Sequence, residues 1–337
     1  MLISEEQAMA YSNSSLNTFA NCMAKYEHCY IKHTPPCNPP SAHLRFGAMA
    51  HEVLYNAGKL KDEIKDGVVD NDAYYSVIPS ELLYDNLKAE FGINSWNTYF
   101  NHVIKQVFDY ENNILSEHND AIVEREIKLQ LTSDQLKQLG YYNISEPLVG
   151  VIDLLFYGKD WAVIIDYKFS TSRKGQDEFD LNSQLPLYAL LVHINYDIPL
   201  HNIKIGYIDI PKKTFSKPIV LSNGTLSRAK TQNISQELYE MSVKAIHGED
   251  AYYNCEPGGY YYDAWCNYAF NKAAYLSIQY LDMDVYKGTI SDVLDAAVMI
   301  EHMKTNKLKF IKKYDSYSCK GCDYLDSCKP WTVVGEK

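Results

Sequence analysis

Asp166 and Lys168 stand two residues apart in the apolar run WAVIIDYKFST at 161–171. On a strand, residues i and i+2 project from the same face, so this carboxylate and this ammonium leave the segment together. A second acid, Asp153, lies in PLVGVIDLLFYGKD at 147–160, and the turn Gly158-Lys159-Asp160 reads as a hairpin that can lay Asp153 beside Asp166. Two carboxylates at one spot repel unless a cation neutralises them, and oxygen ligands suit a hard cation such as Mg²⁺ or Mn²⁺. Such an ion would polarise a phosphoryl oxygen and help make hydroxide from water. Lys168 would orient that water or stabilise charge developing on the phosphate. An Asp-x-Lys tripeptide alone is more often a surface ion pair. Within an otherwise apolar strand, an acid and a base facing one way usually need a purpose.

The cysteines suggest a second centre. Of eight, three form Cys319-x-x-Cys322-x5-Cys328 in the stretch 314–331, which lacks periodicity and needs something other than an apolar core to order it. The N-terminus MLISEEQAMA has neither a basic nor an apolar leader region, so a reducing, cytoplasmic setting is expected. There, clustered cysteines read as metal ligands rather than disulfides. A fourth ligand must come from elsewhere. Four thiolates suit zinc and an iron–sulfur cluster equally well.

These groups must be positioned by recognisable elements. Ser12 or Ser14 can cap a helix over 11–33, where Leu16, Phe19, Cys22, Met23 and Tyr26 recur at helical spacing until the break PPCNPP at 35–40. A second helix spans 44–60, with Ala48, Met49, Val53 and Leu54 inward. Residues 61–120 read as a helical insertion. Strands are expected at 121–131, 147–160, 161–171 and 203–213, with an amphipathic helix at 181–196 crossing between the last two. Residues 221–303 read as mostly helical, opening on a polar loop, and the tail 314–331 follows. There is no GxxxxGK[ST] phosphate loop, hence no sign of a motor, so any helicase would be a separate polypeptide.

Gly47-x-x-x-His51, Gly150-x-x-Asp153, Asp166-Tyr167-Lys168 and Gln184-x-x-x-Tyr188, in that order, resemble the RecB-type branch of the PD-(D/E)XK nucleases. Each motif is weak alone; four in order on suitable elements are specific. The resemblance implies an α/β restriction-endonuclease-like core, a mixed central sheet flanked by helices with helical insertions. It implies one nuclease domain over 1–337: N-terminal helices at 10–60, an insertion at 61–120, the catalytic core at 121–213, a helical region at 214–313 and a cysteine-rich tail at 314–337. By the same resemblance His51, Asp153 and Asp166 are metal ligands, completed by the backbone carbonyl of Tyr167. Lys168 is then the catalytic lysine, and Gln184 and Tyr188 contact the DNA backbone or orient that lysine. Glu126 resembles an acid often found before the GxxD strand, in a structural or a functional role. Cys22 resembles the first cysteine of AddB-type and CRISPR-adaptation-type nucleases, in which it joins a C-terminal trio such as Cys319, Cys322 and Cys328 around a [4Fe–4S] cluster. Such a staple closes a loop of roughly 300 residues and stabilises by a few kcal/mol. Cys29 could substitute for Cys22, and zinc remains the alternative metal. Cys37, Cys255 and Cys266 read as spare thiols.

The composition is that of an ordinary globular chain: 337 residues, 46% hydrophobic and 22% charged, with no apolar run long enough for a membrane helix. The net charge of −11 does not exclude a nucleic-acid partner, because a metal-binding groove itself needs clustered carboxylates. Candidate phosphate contacts are Arg173 and Lys174 after the catalytic strand, Lys212 and Lys213 after the fourth strand, and Arg228 and Lys230 in the polar loop. The expectation is thus a Mg²⁺- or Mn²⁺-dependent deoxyribonuclease, an exonuclease on single-stranded DNA ends, in a phage, recombination or CRISPR setting. The rival classes are a catalytically silent nuclease fold that binds DNA or a partner, and a zinc-stabilised structural protein.

Overall fold

The computed structural model describes residues 10–63, 96–118, 120–170, 176–211, 275–313 and 319–328, with 244, 248–250, 255, 259 and 260. Arg173, Lys174, Lys212, Lys213, Arg228, Lys230 and Cys266 lie outside the described residues, as do 64–95 of the insertion.

The elements are β1 (Tyr11–Ser12), α1 (Asn13–Asn21), α2 (Met23–Tyr26), α3 (Ala42–Glu63), α4 (Trp96–Glu117), β2 (Ile122–Leu131), α5 (Ser133–Gln138), β3 (Leu148–Tyr157), β4 (Ala162–Ser170), α6 (Gln176–Leu181), α7 (Gln184–Tyr196), β5 (Ile203–Pro211), β6 (Tyr275–Tyr280), α8 (Met283–Thr305) and α9 (Leu325–Cys328). One mixed sheet carries them. β2 and β3 are antiparallel along their whole length, β3 and β4 form the expected hairpin, β4 and β5 are parallel, and β6 runs antiparallel to β5. β1 pairs in parallel with Leu148 and Val149 on the edge of β3 that β4 leaves free. The β4–α7–β5 crossover is what a parallel pair requires.

Two apolar layers cover the sheet. On one face α7, α1 and α8 enclose Leu148, Ile152, Leu155, Ile164 and Ile205; on the other, α3 and α4 enclose Leu154, Phe156, Val163, Ile165 and Ile208. α7 is not amphipathic as the sequence suggests: Leu185 to Val192 are all buried, because the sheet and α8 pack around it. The N-terminal helix is also not continuous. Ser12 caps α1 in a capping box with Ser15, but Cys22 is extended at φ −160° and interrupts the helix, and Glu27–Ile31 continues as a π-helical turn. In α3, Ala48 is exposed and Ala50 is buried in its place. β6 is a strand inside a region expected to be mostly helical; its alternation, Leu276-Ser277-Ile278-Gln279, is only four residues long. No described helix is long and apolar enough to cross a membrane.

Candidate active site

The site forms where β3 and β4 part. Their ladder ends at Leu154–Ile165, and Asp153 and Asp166 occupy the next position of that register. There the Tyr167 amide donates to Asp153 Oδ2 at 2.6 Å instead of to a strand carbonyl. Asp166 and Lys168 face α7 together, as the spacing requires, with Lys168 Nζ 2.7 Å from Asp166 Oδ2.

Gln184, the first residue of α7, joins the set. It accepts from Lys168 Nζ at 2.7 Å and donates through Nε2 to Asp166 Oδ1 and to the Tyr188 hydroxyl, each at 2.8 Å. This arrangement fixes the amide orientation, since a lysine only donates and a carboxylate only accepts. Gln184 and Tyr188 share a helix face one turn apart. Gly150 lets α7 approach this closely: a Cβ there would meet Leu191 Cδ1 at 2.6 Å and Tyr188 Cε1 at 2.9 Å.

From the opposite layer, α3 delivers His51. Its Nδ1 lies 3.3 Å from Asp153 Oδ1 and 3.9 Å from Glu126 Oε1. Ligand atoms of His51, Glu126 and Asp153 all fall within 4.8 Å of one another, a group of a size that suits one divalent ion. An imidazole and two carboxylates on the sheet edge are the donor set that Mg²⁺ or Mn²⁺ accepts. Asp166 and the Tyr167 carbonyl lie in the adjacent strand. Asp209, fully buried on β5 opposite Lys168, belongs to no motif that marks it in the sequence.

The electrostatics agree with a cation site. Burial raises the Glu126 carboxyl to about 7, and the neighbouring Asp153 pushes the same way. Asp166 is likewise raised, by burial first and by Asp153 second, with Lys168 opposing. Burial alone would lower His51, but the carboxylates of Asp153, Asp166 and Glu126 outweigh it and hold the imidazole above its usual value. Without a cation, this cluster retains protons that its ligand role requires it to shed.

Glu126 is the residue whose weight the sequence leaves open. It has φ +49°, left-handed for a non-glycine residue. The pairs on either side, Arg125–Leu154 and Ile127–Ile152, keep one register, so Glu126 and Asp153 face each other across a local break in the ladder. The strands exchange faces at this point. Val123 and Arg125 point toward α3 and α4, whereas Ile127, Leu129 and Leu131 join the α7 layer. In β3, Ile152 packs on the α7 side and Leu154 on the α3 side.

The cysteines gather beyond the C-terminal end of α1. Cys22, Cys319, Cys322 and Cys328 line one cavity of about 300 Å³, together with Lys25, His28, Lys313 and Tyr324. The extended conformation at Cys22 marks the place where the helix opens onto this cavity. Cys37 N donates to the Asp323 carbonyl and ties the tail to the N-terminal segment, and Lys312, shortly after α8, donates through Nζ to the Cys328 carbonyl at 2.6 Å. Burial raises the Cys328 thiol. Cys29 is half-buried and bonded to Tyr324, Cys37 is exposed and Cys255 is buried; none of these three lines the cavity.

The fold is that of a nuclease core. The family model of the PD-(D/E)XK nuclease superfamily matches residues 10–329, and the chain belongs to that superfamily. No curated protein matches it. Among solved structures, it is similar to a candidate exonuclease from Eubacterium rectale, at 10% identity and a TM-score of 0.47, covering 99% of this chain and 93% of that one. It is also similar to SSO0001, at 12% identity and a TM-score of 0.26, covering 83% of this chain and 84% of that one.

Proposed function

We propose that this nuclease is a Mg²⁺- or Mn²⁺-dependent deoxyribonuclease that degrades single-stranded DNA from its ends. The observation that carries the reading is the convergence, at one split in the sheet, of His51, Glu126 and Asp153 with the Asp166–Lys168–Gln184 set. His51, Asp153 and Glu126, together with Asp166 and the Tyr167 carbonyl, would hold a divalent ion, which when bound would supply charge neutralisation at the scissile phosphate and acidify water. The chain's own residues do the rest. Gln184 and Asp166 hold the Lys168 ammonium, which donates to the attacking water or to a non-bridging phosphate oxygen. Tyr188 holds Gln184. Water adds to phosphorus in line as the ester oxygen leaves.

At the cysteine cavity we read a [4Fe–4S] staple held by Cys22, Cys319, Cys322 and Cys328. The reading rests on the four cysteines lining one cavity; the same four thiolates would also hold zinc, which is the alternative metal. The assay is degradation of single-stranded DNA labelled at either end, by anaerobically purified protein, with Mg²⁺, Mn²⁺ or EDTA. Ion-dependent release of labelled mononucleotides or short oligonucleotides from one end supports the reading. Ion-independent cutting, or binding without cutting, contradicts it.

A further inference from the structure

Directly behind the metal group lies a buried charge cluster that the nuclease reading leaves unused. Arg125, 5% exposed, donates through Nη1 and Nη2 to Glu111 of α4 at 2.9 and 2.8 Å, and through Nε and Nη2 to Asp62 of α3 at 2.8 and 3.2 Å. Glu111 is 1% exposed and also accepts from Lys61 Nζ at 3.1 Å. α3 makes room for the guanidinium at Gly58, where a Cβ would stand 2.5 Å from Arg125 Nε.

We propose that Arg125 is a positioning residue for the metal group: its clamp on α3 and α4 holds the strand reversal that turns Glu126 toward His51 and Asp153. The inference rests on the metal-centred reading of that site. A left-handed non-glycine residue is strained and persists only where its surroundings determine it from both sides. Here they do. On one side of Glu126, Arg125 is fixed to the α3 and α4 layer by four hydrogen bonds; on the other, Ile127, Leu129 and Leu131 are fixed in the α7 layer. In a regular strand Arg125 and Ile127 would share a face. Because they are anchored on opposite faces, the chain must reverse at the residue between them, and that residue is Glu126. The same clamp ties β2 to the helix that carries His51, since His51 and Asp62 lie eleven residues, about three turns, apart on α3. One guanidinium therefore sets the distance between two members of the metal group.

The test is Mn²⁺ binding to the full chain, followed by calorimetry and by the loss of free-ion electron paramagnetic resonance. Arg125→Met with Glu111→Leu replaces the buried ion pair by apolar side chains; of the partners it releases, Asp62 is 45% exposed and Lys61 keeps its bond to Asn112, so no buried charge is stranded. Loss of a group that orients a ligand typically weakens metal affinity by about 10- to 100-fold. The expected result is at least a tenfold weaker Mn²⁺ affinity with native circular dichroism. Glu126→Gln alone should weaken binding comparably, and adding it to the double replacement should cost little more. Wild-type affinity in the double replacement, or fully additive losses, overturns the inference. If the double replacement does not fold, Asp62→Asn, at the exposed end of the clamp, serves instead: a measurable loss of affinity supports the inference, and an unchanged affinity overturns it. Absence of Mn²⁺ binding by the wild type would instead remove the metal reading itself.

Discussion

Replacing Gln184 by Met tests the arrangement around the lysine without touching a charge. The change keeps side-chain length and removes three hydrogen bonds: those to Lys168 Nζ, Asp166 Oδ1 and the Tyr188 hydroxyl. Two of these involve a charged partner, worth about 1.5–3 kcal/mol each, and the third about 1 kcal/mol. Part of this returns, because Lys168 remains 2.7 Å from Asp166 and is only partly buried. A net loss of about 2–4 kcal/mol remains. If Gln184 serves to hold the ammonium where the reaction needs it, that loss appears in the chemical step. A misplacement of about 1 Å is worth roughly 100-fold in rate. Single-turnover cleavage of end-labelled single-stranded DNA at saturating Mn²⁺ should therefore slow by about 100-fold, with the DNA concentration for half-maximal rate nearly unchanged. Gln184→Glu should be at least as slow, because it places a second carboxylate against the buried Asp166. A Gln184→Met enzyme that cleaves within about threefold of wild type would refute the reasoning. So would one whose loss lies wholly in DNA affinity.

Further expectations concern pH, packing and the cysteines. In the metal-free protein Glu126 is raised to about 7, so the folded state keeps a proton that the unfolded state loses above about 4.5. Stability must then fall as pH rises across that window; Asp166 and His51, both also raised, act in the same direction. Differential scanning fluorimetry in EDTA should show the melting temperature dropping by roughly 5 °C from pH 5 to pH 7.5, with Mn²⁺ abolishing the drop, and a rise instead would contradict the assignment. Gly150→Ala should destabilise by about 1–3 kcal/mol in urea titrations, because its Cβ collides with Leu191 and Tyr188, and should slow cleavage by displacing α7. Cys22→Ser should lose the iron, the sulfide and the visible absorbance of the anaerobically purified protein, whereas Cys29→Ser should keep them.

The parts of this fold legible in the sequence are those set by short-range pattern. The β3–β4 hairpin follows from two apolar runs joined by the Gly158 turn, and the Asp166–Lys168 pair follows from a period of two. The approach of His51 to Asp153 is visible only through a family resemblance, because it depends on how α3 crosses the sheet. Three features were hidden for physical reasons. β1 is two residues long and owes its existence to the edge that β4 vacates. The all-round burial of α7 is a property of its neighbours, not of its own spacing. The reversal at Glu126 runs against the alternation by which strands are recognised: Arg125 and Ile127 have the same parity and opposite environments. For the cysteines the trio is plain from spacing and Cys22 rather than Cys29 follows from the family resemblance; the extended backbone at Cys22, which puts it on the cavity wall, has no signal in the sequence.

The central claim is that Lys168, Asp166 and the His51 group form a hydrolytic centre, and Lys168→Ala tests it most directly. In this variant Mn²⁺ binding by the wild-type ligands should persist, while single-turnover cleavage of end-labelled single-stranded DNA should fall by at least about 1,000-fold. Cleavage by Lys168→Ala at the wild-type rate, with the same metal dependence, would contradict the account.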